Sequence, residues 1–320
     1  MNYRMLLPLG LLLSTSAFAE LGRGGLEGEV SLLVGYGSET GDSDKTRKGS
    51  LNSKGETESS AVFAPLGQLR YTFGQENDQQ VFLGTSRGDI IEGIFALEVG
   101  YMVEYGDESS VAFSYLPTIA NGEVWEDPFI ANSPRKKTDI SGDTFRIQLD
   151  GFLNLPLTGD FAYYQQDIKN EKSGEFLAVP TKELNRDAKG YYASFGMGVP
   201  LSSSTFIEPS FSYQRHLADG KAVSFSRYSG SLTYLKRFGD HGLSLNGDYF
   251  VTSYDASNPV FGKTREDNGY SFNLGYEYQG IPGWEDWGFN ALAGYSSNDS
   301  NISFYDTSGY FVGVGLSYHF

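Results

Sequence analysis

The chain has 320 residues, no cysteine, and a formal net charge of −16 from 40 acidic and 24 basic side chains. The missing cysteines exclude a disulfide framework, a thiolate metal site and a Cys nucleophile, and the negative charge is hostile to nucleic acid, whose binding runs on basic patches. Forty glycines, 22 Tyr and 23 Phe are a barrel-type load; a mean hydropathy of −0.33 is compatible with a membrane barrel, in which only alternate residues face lipid.

Residues 1–19 read as a cleaved export signal. Arg4 supplies the positive start, residues 6–13 an apolar run, and Ala17-Phe18-Ala19 the small-residue cleavage pattern. The apolar run is too short for a membrane anchor, which needs about 20 residues. Its removal leaves 23 basic and 40 acidic side chains in residues 20–320, read as one domain. Only residues 20–25 precede the first strand, too few for a folded plug or a periplasmic domain.

Residues 26–36 alternate Leu26, Val30, Leu32, Val34 and Tyr36 against Glu27, Glu29 and Ser31, the period of a half-buried strand. Residues 37–60 are a polar loop. Residues 61–73 return with Leu69, Tyr71 and Phe73 opposite Gln68, Arg70 and Thr72. Residues 80–85 are a weak strand. Residues 91–105 set Phe95, Leu97, Val99, Tyr101, Val103 and Tyr105 against Glu92, Glu98 and Glu104. After a turn at 106–108, Val111, Phe113 and Tyr115 go out again, and residues 117–139 form a second long loop. Residues 145–153 carry Arg146, Gln148 and Asp150 on the polar face; residues 161–168 are ambiguous in phase; residues 169–189 are a third long loop.

The second half is more regular. Tyr191, Ala193, Phe195, Met197 and Val199 alternate with Tyr192, Ser194, Gly196 and Gly198. Ile207, Phe211 and Tyr213 then oppose Glu208 and Gln214. Tyr228, Leu232 and Tyr234 oppose Arg227, and Leu245, Tyr249 and Val251 oppose Asp248. Tyr270, Phe272, Leu274 and Tyr276 oppose Glu277, and Phe289, Ala291, Ala293 and Tyr295 oppose Asn290. In the last strand, 309–320, Tyr310, Val312, Val314, Leu316, Tyr318 and Phe320 alternate with small or polar residues, Phe311 excepted. A terminal Phe suits a strand whose aromatic end sits at a membrane interface. Gly315, Tyr318 and Phe320 resemble the carboxy-terminal signal read by the barrel-assembly machinery during insertion.

These segments predict an all-β fold: a transmembrane antiparallel β-barrel of about 14 strands (12–16), with long extracellular loops and short periplasmic turns. Aromatics gather at both strand ends, with Phe73, Tyr105, Tyr234, Tyr278 and Phe320 on the turn side. Tyr36, Tyr115, Tyr191, Tyr213, Tyr270, Tyr295 and Tyr310 lie on the loop side. A soluble sandwich or lipocalin-type barrel alternates equally well. The export signal, strand length, aromatic rings and terminal Phe favour the membrane.

Several stretches resemble an uncharacterised family of Gram-negative outer-membrane proteins, known only as a domain of unknown function. They are Phe82-Leu83-Gly84-Thr85-Ser86-Arg87 with Asp89-Ile90, Tyr115-Leu116-Pro117-Thr118, Trp125-x-Asp127-Pro128 and Asn132-Ser133-x-Arg135-Lys136. The resemblance spans nearly the whole mature chain. It implies location and fold, and brings no activity or functional residues.

Turned inward, the polar faces line a lumen. Its acids are Glu29, Glu92, Glu98, Glu104, Asp150, Glu208, Asp248 and Glu277, and its bases Arg70, Arg146 and Arg227. The expected function is a porin-like channel for passive diffusion of small hydrophilic solutes, in which the carboxylate excess gives a weak cation preference. The competing reading of each charge is a cross-strand pair that only stiffens the wall. A surface-binding or structural barrel with an occluded lumen is the alternative function. A lipid-directed enzyme is less favoured: His216 beside Asp219 lacks a His-x-Ser neighbour and reads as a solvated loop residue, while His241 and His319 lie at the turn side. In the loops, Asp42-Ser43-Asp44 supplies too few oxygens for calcium, and Arg135-Lys136-Lys137 is either ordinary surface charge or a contact for lipopolysaccharide phosphates. Inward Leu33, Tyr192, Phe250 and Phe311 form no obvious stripe. No catalytic residue, metal or cofactor is expected. The expected partners are outer-membrane lipid, lipopolysaccharide and the assembly machinery; the oligomeric state stays open.

Overall fold

The computed structural model describes residues 21, 24–85, 97–105, 109–117, 122–152 and 155–320. The predicted export signal and Glu92 lie outside the described residues. Sixteen strands follow in chain order: β1 Gly25–Thr40, β2 Thr57–Phe73, β3 Gln79–Thr85, β4 Leu97–Glu104, β5 Ser110–Pro117, β6 Gly122–Trp125, β7 Lys137–Asp150, β8 Leu157–Ile168, β9 Ala188–Met197, β10 Val199–Ser202, β11 Thr205–Ala218, β12 Phe225–Phe238, β13 His241–Asn258, β14 Lys263–Ile281, β15 Trp284–Ser300 and β16 Thr307–His319. The described residues form no α-helix, only the 3-10 turns Thr181–Glu183 and Ser303–Tyr305.

Fourteen of these strands close into an antiparallel ring. β1 pairs with β16, with Val34 opposite Val314, and β9 pairs directly with β11. The short strands β6 and β10 only add to β7 and β11. Closure removes the free strand edges that would otherwise need covering. The terminal residue takes part: Phe320 N–H donates to Gly28 O (3.0 Å), and Gly28 N–H to Phe320 O (2.8 Å).

The side-chain phase is inverted relative to a water-soluble protein. Leu26, Val30, Leu32, Phe63, Phe113, Phe211, Phe272 and Val314 point outward and are exposed, while Ser31, Thr72, Asn273, Asn290 and Ser317 point inward and are buried. An apolar belt of this extent matches the lipid-facing surface of a membrane barrel. Aromatics meet across strands at both of its rims. At the loop end, Tyr115 packs on Phe145, Tyr163 on Tyr191 and Tyr213 on Tyr228, with ring centroids 5.1, 5.3 and 5.0 Å apart. At the turn end, Trp284, Trp287, Tyr318 and Phe320 form a chain of contacts.

The two weak segments are both genuine strands, β3 and β8. Several strands are longer than alternation suggests: β13 has 18 residues and β14 has 19. At about 3.4 Å per residue they overrun the ~25 Å apolar band. Their loop-end portions, such as 263–268, are polar on both faces and carry no hydrophobic phase.

Candidate functional site

The inward charges fall at three levels. Nearest the turns lie Glu29, Arg70, Glu104, Asp150, Glu208 and Glu277, each on the lumen face of its strand. Arg70 donates to Gln68 (2.5 Å), Glu208 accepts from Thr158 (3.0 Å) and Glu277 accepts from Gln279 (2.6 Å). Leu21 is tucked into this mouth. Its N–H donates to Glu104 (2.8 Å), and its carbonyl accepts from Thr72 (3.0 Å) and Gln80 (2.8 Å). Leu21 thus occupies part of the turn-end opening.

At mid-height Arg146 holds a two-pronged contact to Asp160, with Nε 2.9 Å and a terminal nitrogen 2.5 Å from the carboxylate, and its other terminal nitrogen is 3.8 Å from Glu98. Asp160 was not foreseen, because the phase of β8 was ambiguous. Beside these charges, on the wall formed by β15, β16, β1 and β2, lies an interior apolar cluster. Leu33, Ala64, Leu66, Leu292 and Phe311 form one buried cluster inside the barrel. Of the four inward apolar residues, Leu33 and Phe311 share this cluster, and Tyr192 and Phe250 lie outside it. Gly35 makes room for the Phe311 ring, since a Cβ there would meet it at 2.5 Å.

Above this cluster the lumen widens into two adjoining cavities of about 480 and 490 Å³, which share Arg227, Arg265, Tyr305 and Thr307 in their walls. Asp248 lines the second. Arg265 pairs with Asp267 (2.6 Å) and lies 3.7 Å from the Tyr305 ring centroid. His216 corrects the reading of a solvated loop residue. It belongs to β11, lines the first cavity, shares a hydrogen bond with the Tyr164 hydroxyl (2.9 Å) and stacks on Phe225. Arg265 and Asp267 escaped sequence reading because they sit in the polar overhang of β14.

The loop end is roofed by a cap with its own core. Phe129, Leu184, Ala222, Ile302 and Phe304 are buried together, flanked by Leu51, Val179, Val260 and Phe261, so six different loops contribute. Arg135 locks this cap. It is 3% exposed, bonds the Asp42 carboxylate and the Asp44 carbonyl, and stacks 4.3 Å from the Trp125 ring centroid. Arg47, 2% exposed, meets Asp42 at 3.0 Å from the other side and lies over Phe304. Of the basic trio only Arg135 is interior; Lys136 is exposed and pairs with Glu126 (2.9 Å), and Lys137 pairs with Glu123 (2.8 Å). Asp127 explains the Trp125-x-Asp127-Pro128 stretch: its carboxylate accepts from the N–H groups of Phe129 (2.9 Å), Gly174 (3.1 Å) and Phe176 (3.1 Å), joining two loops.

A family model described as a protein of unknown function, DUF2860, matches residues 25–319. The chain belongs to the DUF2860 family. No curated protein matches it by sequence. Among solved structures the DUF2860 barrel is similar to the CymD monoaromatic hydrocarbon channel, at 8% identity over 94% of this chain and 90% of that one, with a TM-score of 0.51. It is also similar to the outer-membrane channel DcaP of Acinetobacter baumannii, at 10% identity, 95% and 99% coverage and a TM-score of 0.47. A third is a loop L8 deletion mutant of the outer-membrane protein OmpT of Vibrio cholerae, at 10% identity, 92% and 99% coverage and a TM-score of 0.42. At such identities the likeness concerns the fold. The DUF2860 barrel has the architecture of outer-membrane channels.

Proposed function

We propose that this DUF2860 protein is a channel of the bacterial outer membrane for passive diffusion of small hydrophilic solutes, with a weak preference for cations. Its loop end then faces the exterior and its turn end the periplasm. The observation that carries the reading is the polar inner wall of a closed barrel with two adjoining cavities under the cap. The cation preference rests on inward carboxylates (Glu98, Glu104, Asp150, Asp160, Glu208, Asp248, Asp267, Glu277) outnumbering inward guanidiniums (Arg70, Arg146, Arg227, Arg265). The test is single-channel recording of the refolded barrel in a potassium chloride gradient. Discrete openings with a cation-side reversal potential are expected, and Arg146→Gln should shift that potential further to the cation side by leaving Glu98 and Asp160 uncompensated. An anion-side reversal potential would overturn the selectivity.

The cap favours a second reading, a barrel held shut at its outer end and used for surface contact. Inserted protein that passes no current would support it over the channel.

The expected partners follow from the same surface. Outer-membrane lipid covers the apolar belt, lipopolysaccharide meets the loop-end rim, and the assembly machinery reads Gly315, Tyr318 and Phe320. Deleting Phe320 also removes two backbone bonds to Gly28. The yield of heat-modifiable folded barrel in outer membranes should drop; an unchanged yield would rule out this role for the terminus.

A further inference from the structure

The inward arginines of the barrel are not equivalent. Arg146 is joined to Asp160, and Arg265 to Asp267. Arg227 makes no hydrogen bond or close ion pair to a carboxylate among the described residues. Its Nε donates to Thr252 (2.9 Å), and its guanidinium lies 4.5 Å from the Phe250 ring centroid and 5.4 Å from that of Phe225. That support fixes the fork and leaves both terminal nitrogens to the cavity. The ring of Phe250 can lie flat against the wall because its cross-strand neighbour on β14 is Gly269, where any Cβ would strike it.

Asp248 is the complementary case. It lines the same 490 Å³ cavity, and no hydrogen bond or ion pair engages its carboxylate among the described residues. It precedes Phe250 by two residues on the same face of β13, a spacing of about 7 Å along a strand. An opposite pair held in one chamber without closing on itself is an unusual expense, since charges removed from bulk water are ordinarily paired.

We propose that this chamber binds a small zwitterion of the α-amino acid class, with Arg227 taking the carboxylate and Asp248 the ammonium. Two covalent bonds through one Cα separate the charged groups of such a molecule by about 3 Å. A hydrogen bond of about 2.8 Å at each end brings the span to about 8–9 Å, the separation such a ligand requires between the Arg227 guanidinium and the Asp248 carboxylate. A guanidinium fork takes a carboxylate through two parallel bonds. The chamber volume lies in the range of small-molecule sites, and Ser231, Ser271 and Ser296 on its walls supply hydroxyls for a polar side chain. The cavity favours neither a pure anion nor a pure cation, because each would leave one of the two charges unmatched.

The inference relies on the channel reading only for how the solute arrives, so binding is measured apart from conduction. Calorimetry of the full-length barrel in detergent would titrate L-serine, ethanolamine and L-lactate. L-Serine should bind, and each single-charge analogue at least about tenfold more weakly, as should L-serine itself to Arg227→Gln or Asp248→Asn. No L-serine binding, or an analogue that binds as tightly, overturns the proposal on the unaltered barrel alone, whatever the fate of the variants. Undiminished L-serine affinity in folded Asp248→Asn overturns it too. A barrel that binds L-serine and passes no current would keep the site and reject the channel; one that conducts and does not bind would do the reverse.

Discussion

Arg135→Ala should open the loop end of the barrel. The side chain ties Asp42, the Asp44 carbonyl and the Trp125 ring into one interior contact. Removing one member of a buried ion pair costs about 3–5 kcal/mol. Arg47 stays 3.0 Å from Asp42, which places the loss at the lower end, about 3 kcal/mol. The cost falls on the cap and not on the ring, whose strand ladders are untouched. Trypsin should therefore cut within residues 41–56 and 122–137 while the barrel keeps its heat-modifiable mobility, and single-channel conductance should rise. Arg135→Lys restores the charge and not the fork, so it should rescue only in part. A protease pattern and conductance equal to those of the unaltered protein would refute the cap as a closure. Acid should act in the same direction. Lys136 and Lys172 hold the Glu126 carboxyl below its ordinary value of 4.5. A depressed carboxyl stabilises the folded cap fully at neutral pH. That contribution begins to fade below pH 4.5 and is lost as pH falls through the lowered value.

Phe311→Ala is expected to be the most destabilising single change inside the lumen. The ring is 1% exposed and packed on Leu33, Ala64, Leu66 and Leu292. Emptying a Phe site costs about 3–5 kcal/mol in a closed core. Water from the adjoining lumen can fill this vacancy, so a value near 3 kcal/mol is expected. Urea unfolding in detergent measures it. If the ring narrows the lumen at this level, conductance should increase together with the loss of stability. Gly35→Ala should push the ring from its seat and reproduce part of both effects, because the new Cβ has no space beside Phe311. Loss of stability with unchanged conductance would mean that the interior apolar cluster is wall and not constriction.

Alternation makes the ring legible in the sequence, because lipid on one side and polar lumen on the other write period two into every crossing strand. β16 is the clearest case: Tyr310, Val312, Val314 and Leu316 outward, Gly309, Gly313 and Ser317 inward. The same logic failed wherever a strand left the membrane band. Arg265 and Asp267 have polar neighbours on both faces, so nothing in the sequence marks them as strand or as lumen. The inward placement of Glu98, Glu104, Arg146, Glu208, Arg227, Asp248 and Glu277 followed from phase alone. Which of them pair did not, since Asp160 and Glu98 reach Arg146 from different strands, and such meetings are set by register and barrel shear. The cap was least legible. Its core residues, such as Phe129, Leu184 and Phe304, are scattered among polar loops with no period to connect them, and Arg135 beside two lysines looks like any exposed basic run.

The cap also has a place in time. Phe304 N–H donates to the Asn52 side chain, a partner 252 residues away in the chain. Those two loops become neighbours only when the last strand zips onto the first. A nascent barrel with thirteen of its fourteen crossings complete can build the wall and cannot build this roof. Burial of Phe304 and Leu51 is thus a signature of finished assembly, and an outward-facing entrance that stays protease-sensitive until the seam is sewn would betray every molecule still waiting for its final strand.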